Sequence, residues 1–178
     1  KPSAGDTLRY FWNSDAVEKL TKLIREQGPF DVAHLHIYHG KQTPAILHVL
    51  KRFGIKIVQS LHEYKLACPV YTMQRDDAPC DLCVSGSSAH AIRHRCKDGS
   101  LLKSTVMWAE SKTARMLGDV RLIDRFLCVS DFQRRVMARG GIDPAKLRVL
   151  HNFVADQGHE STKGDYLLYI GRIDPTKG

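Results

Sequence analysis

The sequence predicts an α/β fold, a Rossmann-like parallel sheet flanked by helices, on three observations. Short β-branched apolar runs alternate with amphipathic stretches along most of the 178 residues. Between residues 30 and 58 a strand, a helix and a second strand follow within about thirty residues, a βαβ unit whose strands run parallel with a right-handed crossover. Polarity then gathers at the carboxyl ends of the runs, the edge at which open α/β sheets hold their ligands.

Taken in order, Asn13, Ser14 and Asp15 with Glu18 offer capping groups to a first helix. Its apolar face is Val17, Leu20, Leu23 and Ile24, and Gly28-Pro29 ends it. Residues 30–38, FDVAHLHIY, read as a strand with His34 and His36 on one face. Residues 42–53 form a second helix with Ile46, Leu47, Val49, Leu50 and Phe53 apolar, and His48 beside them as a packed or surface histidine. Gly54 leads into the central strand, whose Ile55-Lys56-Ile57-Val58 is the pattern of a strand buried on both faces. Residues 68–99 lose all periodicity and read as a long loop. A helix over 100–118 follows, with Leu101, Leu102, Thr105, Met107, Trp108, Met116 and Leu117 inward and Lys103, Glu110, Lys112 and Arg115 on its wet side. Residues 125–130 are a strand, Asp131 an N-cap for a helix over 132–139, and 146–153 a further strand.

Residues 1–153 thus make one partial domain, 154–164 a polar linker, and 165–178 the start of a second domain with a strand at 165–172. Lys1 at the start and Thr176-Lys177-Gly178 at the end suggest a piece cut at both ends. No apolar run is long enough to span a membrane, and no signal peptide is visible. The formal charge of +8 favours an anionic partner, whether nucleotide, phospholipid head group or nucleic acid.

Four strand ends meet at one edge and carry His36, His62, Ser130 and Asn152. The central strand delivers the densest group there, Ser60, His62, Glu63, Tyr64 and Lys65, so His62 leads the site candidates and Tyr64 joins them. His36 and His39 rank behind it. The plain alternatives are a surface histidine at position 62, a helix cap at Ser130 and a turn residue at Asn152. Beyond the linker, the Gly-, Arg- and Lys-rich turn holding Arg172 and Lys177 offers a phosphate site at a strand end.

The long loop holds four of the five cysteines, Cys68, the C-x2-C pair Cys80 and Cys83, and Cys96. A loop of that length in a compact domain needs something to hold it. Four thiolates suit one structural zinc; disulfides, an iron–sulfur cluster or free thiols are the alternatives. Cys128 lies within an apolar strand and reads as a small buried hydrophobe.

YLLYIGRIDPTKG resembles the opening of the nucleotide-sugar-binding domain of family 4 glycosyltransferases. FLCVSDFQRRVMARGGIDPAKLRVLHNFVAD resembles the stretch before it, and DVAHLHIYHG and VQSLHEYKLACP resemble acceptor-domain strands of a cysteine-containing subset. The resemblance runs from about residue 30 onward and implies a GT-B enzyme, truncated here at both ends. Such an enzyme transfers a hexose with retention from a nucleotide diphosphate sugar to a glycan or lipid-linked acceptor, with no metal or other cofactor required for chemistry. Carried over by motif, Arg172 and Lys177 bind the donor diphosphate, His62 contacts the transferred sugar, and Asn152 matches a turn asparagine near the hinge. His151 and Phe153 depart from the usual proline and glycine of that turn. The resemblance also implies polysaccharide or glycoconjugate synthesis in the cytoplasm, with peripheral contact at an anionic inner membrane face. Nucleic acid is not an expected partner. A zinc-stapled basic nucleic-acid-binding module and a non-catalytic sugar-nucleotide-binding protein are the competing readings, and the piece alone is expected to be inactive.

Overall fold

The computed structural model describes residues 9–155, 158, 164–171 and 173. Helix α1 (Ser14–Gln27) begins where the Asn13 side chain accepts from the Ala16 N–H, and it stops at Gly28, before a cis Gly28-Pro29 bond. Strand β1 (Val32–Leu35) is shorter than the pattern at 30–38 suggests. After it the chain turns through Thr43, a buried residue with φ of 61°, whose Oγ accepts from the Asn13 and Ala45 amides and so ties α1 to α2 (Ala45–Arg52). Gly54, at φ of 73°, turns the chain into β2 (Lys56–Leu61).

The segment 68–99 is not structureless. It contains a small hairpin of β3 (Gln74–Arg75) and β4 (Ala78–Pro79) and two single-turn helices, α3 (Leu82–Ser85) and α4 (His90–Arg93). Helix α5 (Leu101–Leu117) starts at Ser100, which caps the Lys103 amide, and ends on Gly118 in the left-handed conformation. Strand β5 (Arg125–Cys128), helix α6 (Asp131–Arg139) and strand β6 (Leu147–Val149) complete the unit.

The main sheet has the order β1-β2-β5-β6, and every pairing in it is parallel. This is the α/β Rossmann-like architecture that the strand–helix alternation predicts. Ile57, Leu61, Phe126, Cys128 and Leu147 from the strands pack with Leu47, Leu50, Ile123, Met137 and Ile142 into one core. Burial of side chains such as Ile57 or Phe126 is worth roughly 1.5–3 kcal/mol each.

Helix α5 departs from the expected faces. Leu101, Leu102 and Met116 are exposed, whereas Ser104, Glu110 and Ala114 are buried. Glu110, expected on the wet side, is 2% exposed. The strand expected at 165–172 is not formed over its described residues: no regular element occurs at 165–171, and Leu167, Leu168 and Ile170 stand in solvent. Among the described residues no helix is long and apolar enough to cross a membrane.

Candidate functional site

Two neighbouring parallel strands bring His36 and His62 together. The register pairs Leu35 with Gln59, so the residues just past β1 lie beside the end of β2. There His36 Nδ1 and His62 Nε2 are 2.8 Å apart and hydrogen-bonded, with the rings stacked at 12° and 5.1 Å between centroids. His34, two residues earlier on the same face, lies 4.7 Å from the His36 ring and bonds the Ser60 hydroxyl at 2.8 Å. Gln59, buried beneath, donates to the His36 carbonyl. These imidazoles are exposed, so a ligand reaches them without rearrangement of the core. His36 and His62 rim a shallow depression that also includes Gln59, Glu63 and Lys65.

Under that rim lies a buried ionic group. Lys65 donates to the Pro69 carbonyl at 2.9 Å while its ammonium sits 2.5 Å from Glu110 Oε2. His39 Nδ1 is 3.7 Å from Glu110 Oε1. Lys65 thus faces Glu110 at ion-pair distance, although neither carboxylate oxygen has a well-aligned hydrogen bond. Burial opposes ionisation of Glu110, but His39 and Lys65 outweigh it and keep the carboxyl below its ordinary value of 4.5. Nearby Asp119 shows the opposite balance: burial dominates and raises it, despite His39 and Arg115. The network clamps α5 against the loops that follow β1 and β2. His39 therefore belongs to the scaffold rather than to the open edge.

The remaining candidates separate. Ser130 is the N-cap of α6, accepting from the Gln133 amide at 3.1 Å, and Asp131 sits in the first turn instead, paired with Arg134 and Arg135. Gln133 is itself buried and reaches the Val129 amide and, at 3.5 Å, the Glu63 carbonyl, linking α6 to the β2 end. Tyr64 packs edge-on against Phe132, with its hydroxyl raised by burial. Asn152 is exposed beyond β6, two strands from β2, which at about 4.8 Å per strand is roughly 10 Å away. His151 beside it bonds the Val129 carbonyl at 3.0 Å. Arg172 and Lys177 lie outside the described residues.

Cys68, Cys80, Cys83 and Cys96, by contrast, converge on one small cavity, and Cys128 lies apart in the sheet core. All five are free thiols. Burial, followed by the neighbouring Cys68, pushes the Cys83 thiol up to about 11. As they stand, the four are not closed into a coordination shell: among the described residues no group of three or more His, Cys, Asp or Glu is set to hold a metal ion.

A groove of about 500 Å³ lies elsewhere, between α1, α2 and β1. Aliphatic side chains such as Leu20, Leu23, Ile46 and Leu50 line it together with Asn13, Asp15, Lys19, Lys41 and Gln42, but it lies away from the carboxyl ends of the strands, where the histidines gather. Sequence reading missed Glu110 and Lys65 as partners, and only their contact across separate elements reveals them.

A family model described as Glycosyltransferase Family 4 matches residues 2–157. No curated protein and no solved structure matches the chain.

Proposed function

Because the chain belongs to glycosyltransferase family 4, we propose that it moves a hexose from a nucleotide diphosphate sugar to a glycan or lipid-linked acceptor, with retention at the anomeric carbon. The observation that carries this reading is the His36–His62 pair at the carboxyl edge of a parallel sheet. In the transfer, the bond from the anomeric carbon to the diphosphate breaks, a bond to the acceptor oxygen forms, and the acceptor hydroxyl's proton passes to the departing diphosphate. With Nε2 engaged by His36, His62 offers Nδ1 to the substrate. When His36 donates its Nδ1–H, the neutral His62 carries its own proton on Nδ1 and presents a donor to a sugar oxygen. His62 is thus a binding and electrostatic group rather than a nucleophile.

Arg172 and Lys177, which follow the resemblance, are proposed to neutralise charge on the leaving diphosphate, where electrostatic stabilisation does most in such a reaction. The chemistry so proposed uses no metal. The acceptor side is proposed to work at the cytoplasmic face of an anionic membrane, in polysaccharide or glycoconjugate synthesis. The charge of +8 favours such a surface. Co-sedimentation with vesicles should rise with phosphatidylglycerol content and fall with added salt; binding indifferent to both rejects the membrane.

Since this piece alone is expected to be inactive, the decisive assay follows release of nucleoside diphosphate by the full-length enzyme from a panel of nucleotide sugars. His62→Ala should lower kcat by about 10²-fold, and Arg172→Ala and Lys177→Ala by similar factors. A His62→Ala enzyme with unchanged kcat and kcat/KM rejects the site.

A further inference from the structure

We propose that Cys68, Cys80, Cys83 and Cys96 form a tetrathiolate site for one structural Zn²⁺, with the metal seated in the small cavity that the four side chains line.

The four come from separate short elements. Cys68 follows the β2 end and its amide bonds the Tyr64 carbonyl; Cys80 follows β4 and bonds the Met73 carbonyl; Cys83 lies in α3; Cys96 follows α4 and bonds the Ala91 carbonyl. Backbone hydrogen bonds thus fix where each Cα–Cβ bond starts, leaving one side-chain rotation per thiol to be set. The cavity between them has about 10 Å³ of free space, roughly one ion or one water. Its other walls are Val70, Met73, Val84 and Ala91, with Gln74 the single amide side chain. A water there would find mostly weak hydrogen-bonding partners, whereas a soft cation finds four sulfur ligands. Closing the shell would bring the four sulfurs to Zn–S distances of about 2.3 Å, with the four thiol protons released to solvent.

The surrounding backbone shows why a staple is needed. Among the described residues, six of the seven non-glycine residues with positive φ lie in this loop: Tyr71, Met73, Asp76, Asp77, Arg95 and Asp98. Aspartate tolerates that conformation, but Tyr71, Met73 and Arg95 are held in it against their steric preference. Two-residue strands and single-turn helices supply little cohesion against that cost, and a four-coordinate metal does. The four-ligand site would carry two net negative charges, and Arg75, against His94 at 3.0 Å, stands beside it as a compensating cation. The assignment is independent of the transferase reading, since no ligand comes from the histidine edge.

The test is metal analysis of the chain purified under reducing conditions without metal-affinity resin, followed by titration of the metal-stripped protein with Co²⁺. About one zinc per chain is expected, and Co²⁺ should give thiolate charge-transfer and tetrahedral d–d bands. Cys80→Ser and Cys96→Ser should each lose the metal, while Cys128→Ser keeps it. If those variants fail to fold, the wild-type stoichiometry and cobalt spectrum still decide. Less than about 0.1 metal per chain, iron with labile sulfide, two disulfides, or one zinc retained by both Cys80→Ser and Cys96→Ser would each overturn the proposal.

Discussion

His62 stands past the end of β2 with one ring nitrogen already engaged, and His36 decides how the other nitrogen is presented. Removing the His36 ring should leave the His62 side chain in place but free to rotate and to exchange tautomers. In the full-length enzyme His36→Ala is therefore expected to lower kcat about tenfold with little change in donor KM, because an ill-directed group loses more in the transition state than in substrate binding. His36→Asn, which keeps a hydrogen-bonding head, should recover part of the loss. Equal loss in both variants, or an effect on KM alone, argues for a merely structural ring. Both histidines were legible as candidates because polar residues at the carboxyl ends of adjacent parallel strands must share an edge. Their mutual hydrogen bond was not, since it depends on register and rotamer. Ser130 shows the converse: its position is legible, but the open amide at the start of α6 claims its oxygen.

The way α5 is held explains what local pattern missed among the elements. Its buried positions are Ser104, Glu110 and Ala114, small or charged residues that no hydrophobic periodicity marks. Close approach of the loops after β1 and β2, not apolar area, sets which side faces inward. Glu110→Gln should destabilise the fold by about 3 kcal/mol, because it leaves the Lys65 ammonium buried without its partner. Replacing both residues by methionine should recover most of that loss, and denaturant unfolding of the two single variants and the double variant measures the coupling. The same carboxyl sets an acid limb. Its folded pKa lies below the ordinary 4.5, so its contribution is present above that value and is lost as pH falls through the folded pKa. Asp119, raised by burial, works in the other direction and offsets part of the loss. Stability of the wild type should thus fall below about pH 4.5 more steeply than that of Glu110→Gln. Parallel slopes in the two proteins would show that Glu110 is not the titrating support.

At the scale of the molecule, the alternation of strands and helices made the parallel sheet legible, but not which strand would lie outermost. Among the described residues β1 is an edge, paired only with β2. Val32 at 57% exposure stands on it, Phe30 precedes it, Ile37 at 60% follows it, and the 500 Å³ groove runs beside it. An edge strand with apolar neighbours offers unpaired amides and carbonyls to a second chain, and natural edges usually carry charge to prevent this. The 178-residue chain should accordingly self-associate through β1 as its concentration rises. Val32→Glu tests the idea with little risk to the fold: its register partner is Lys56, so the new carboxylate meets an opposite charge across the strands. Sedimentation velocity over micromolar concentrations should show a wild-type shift toward larger species that Val32→Glu suppresses. An unchanged distribution in a folded Val32→Glu chain would place any association elsewhere, with the exposed Leu167, Leu168 and Ile170 as the next surface to charge.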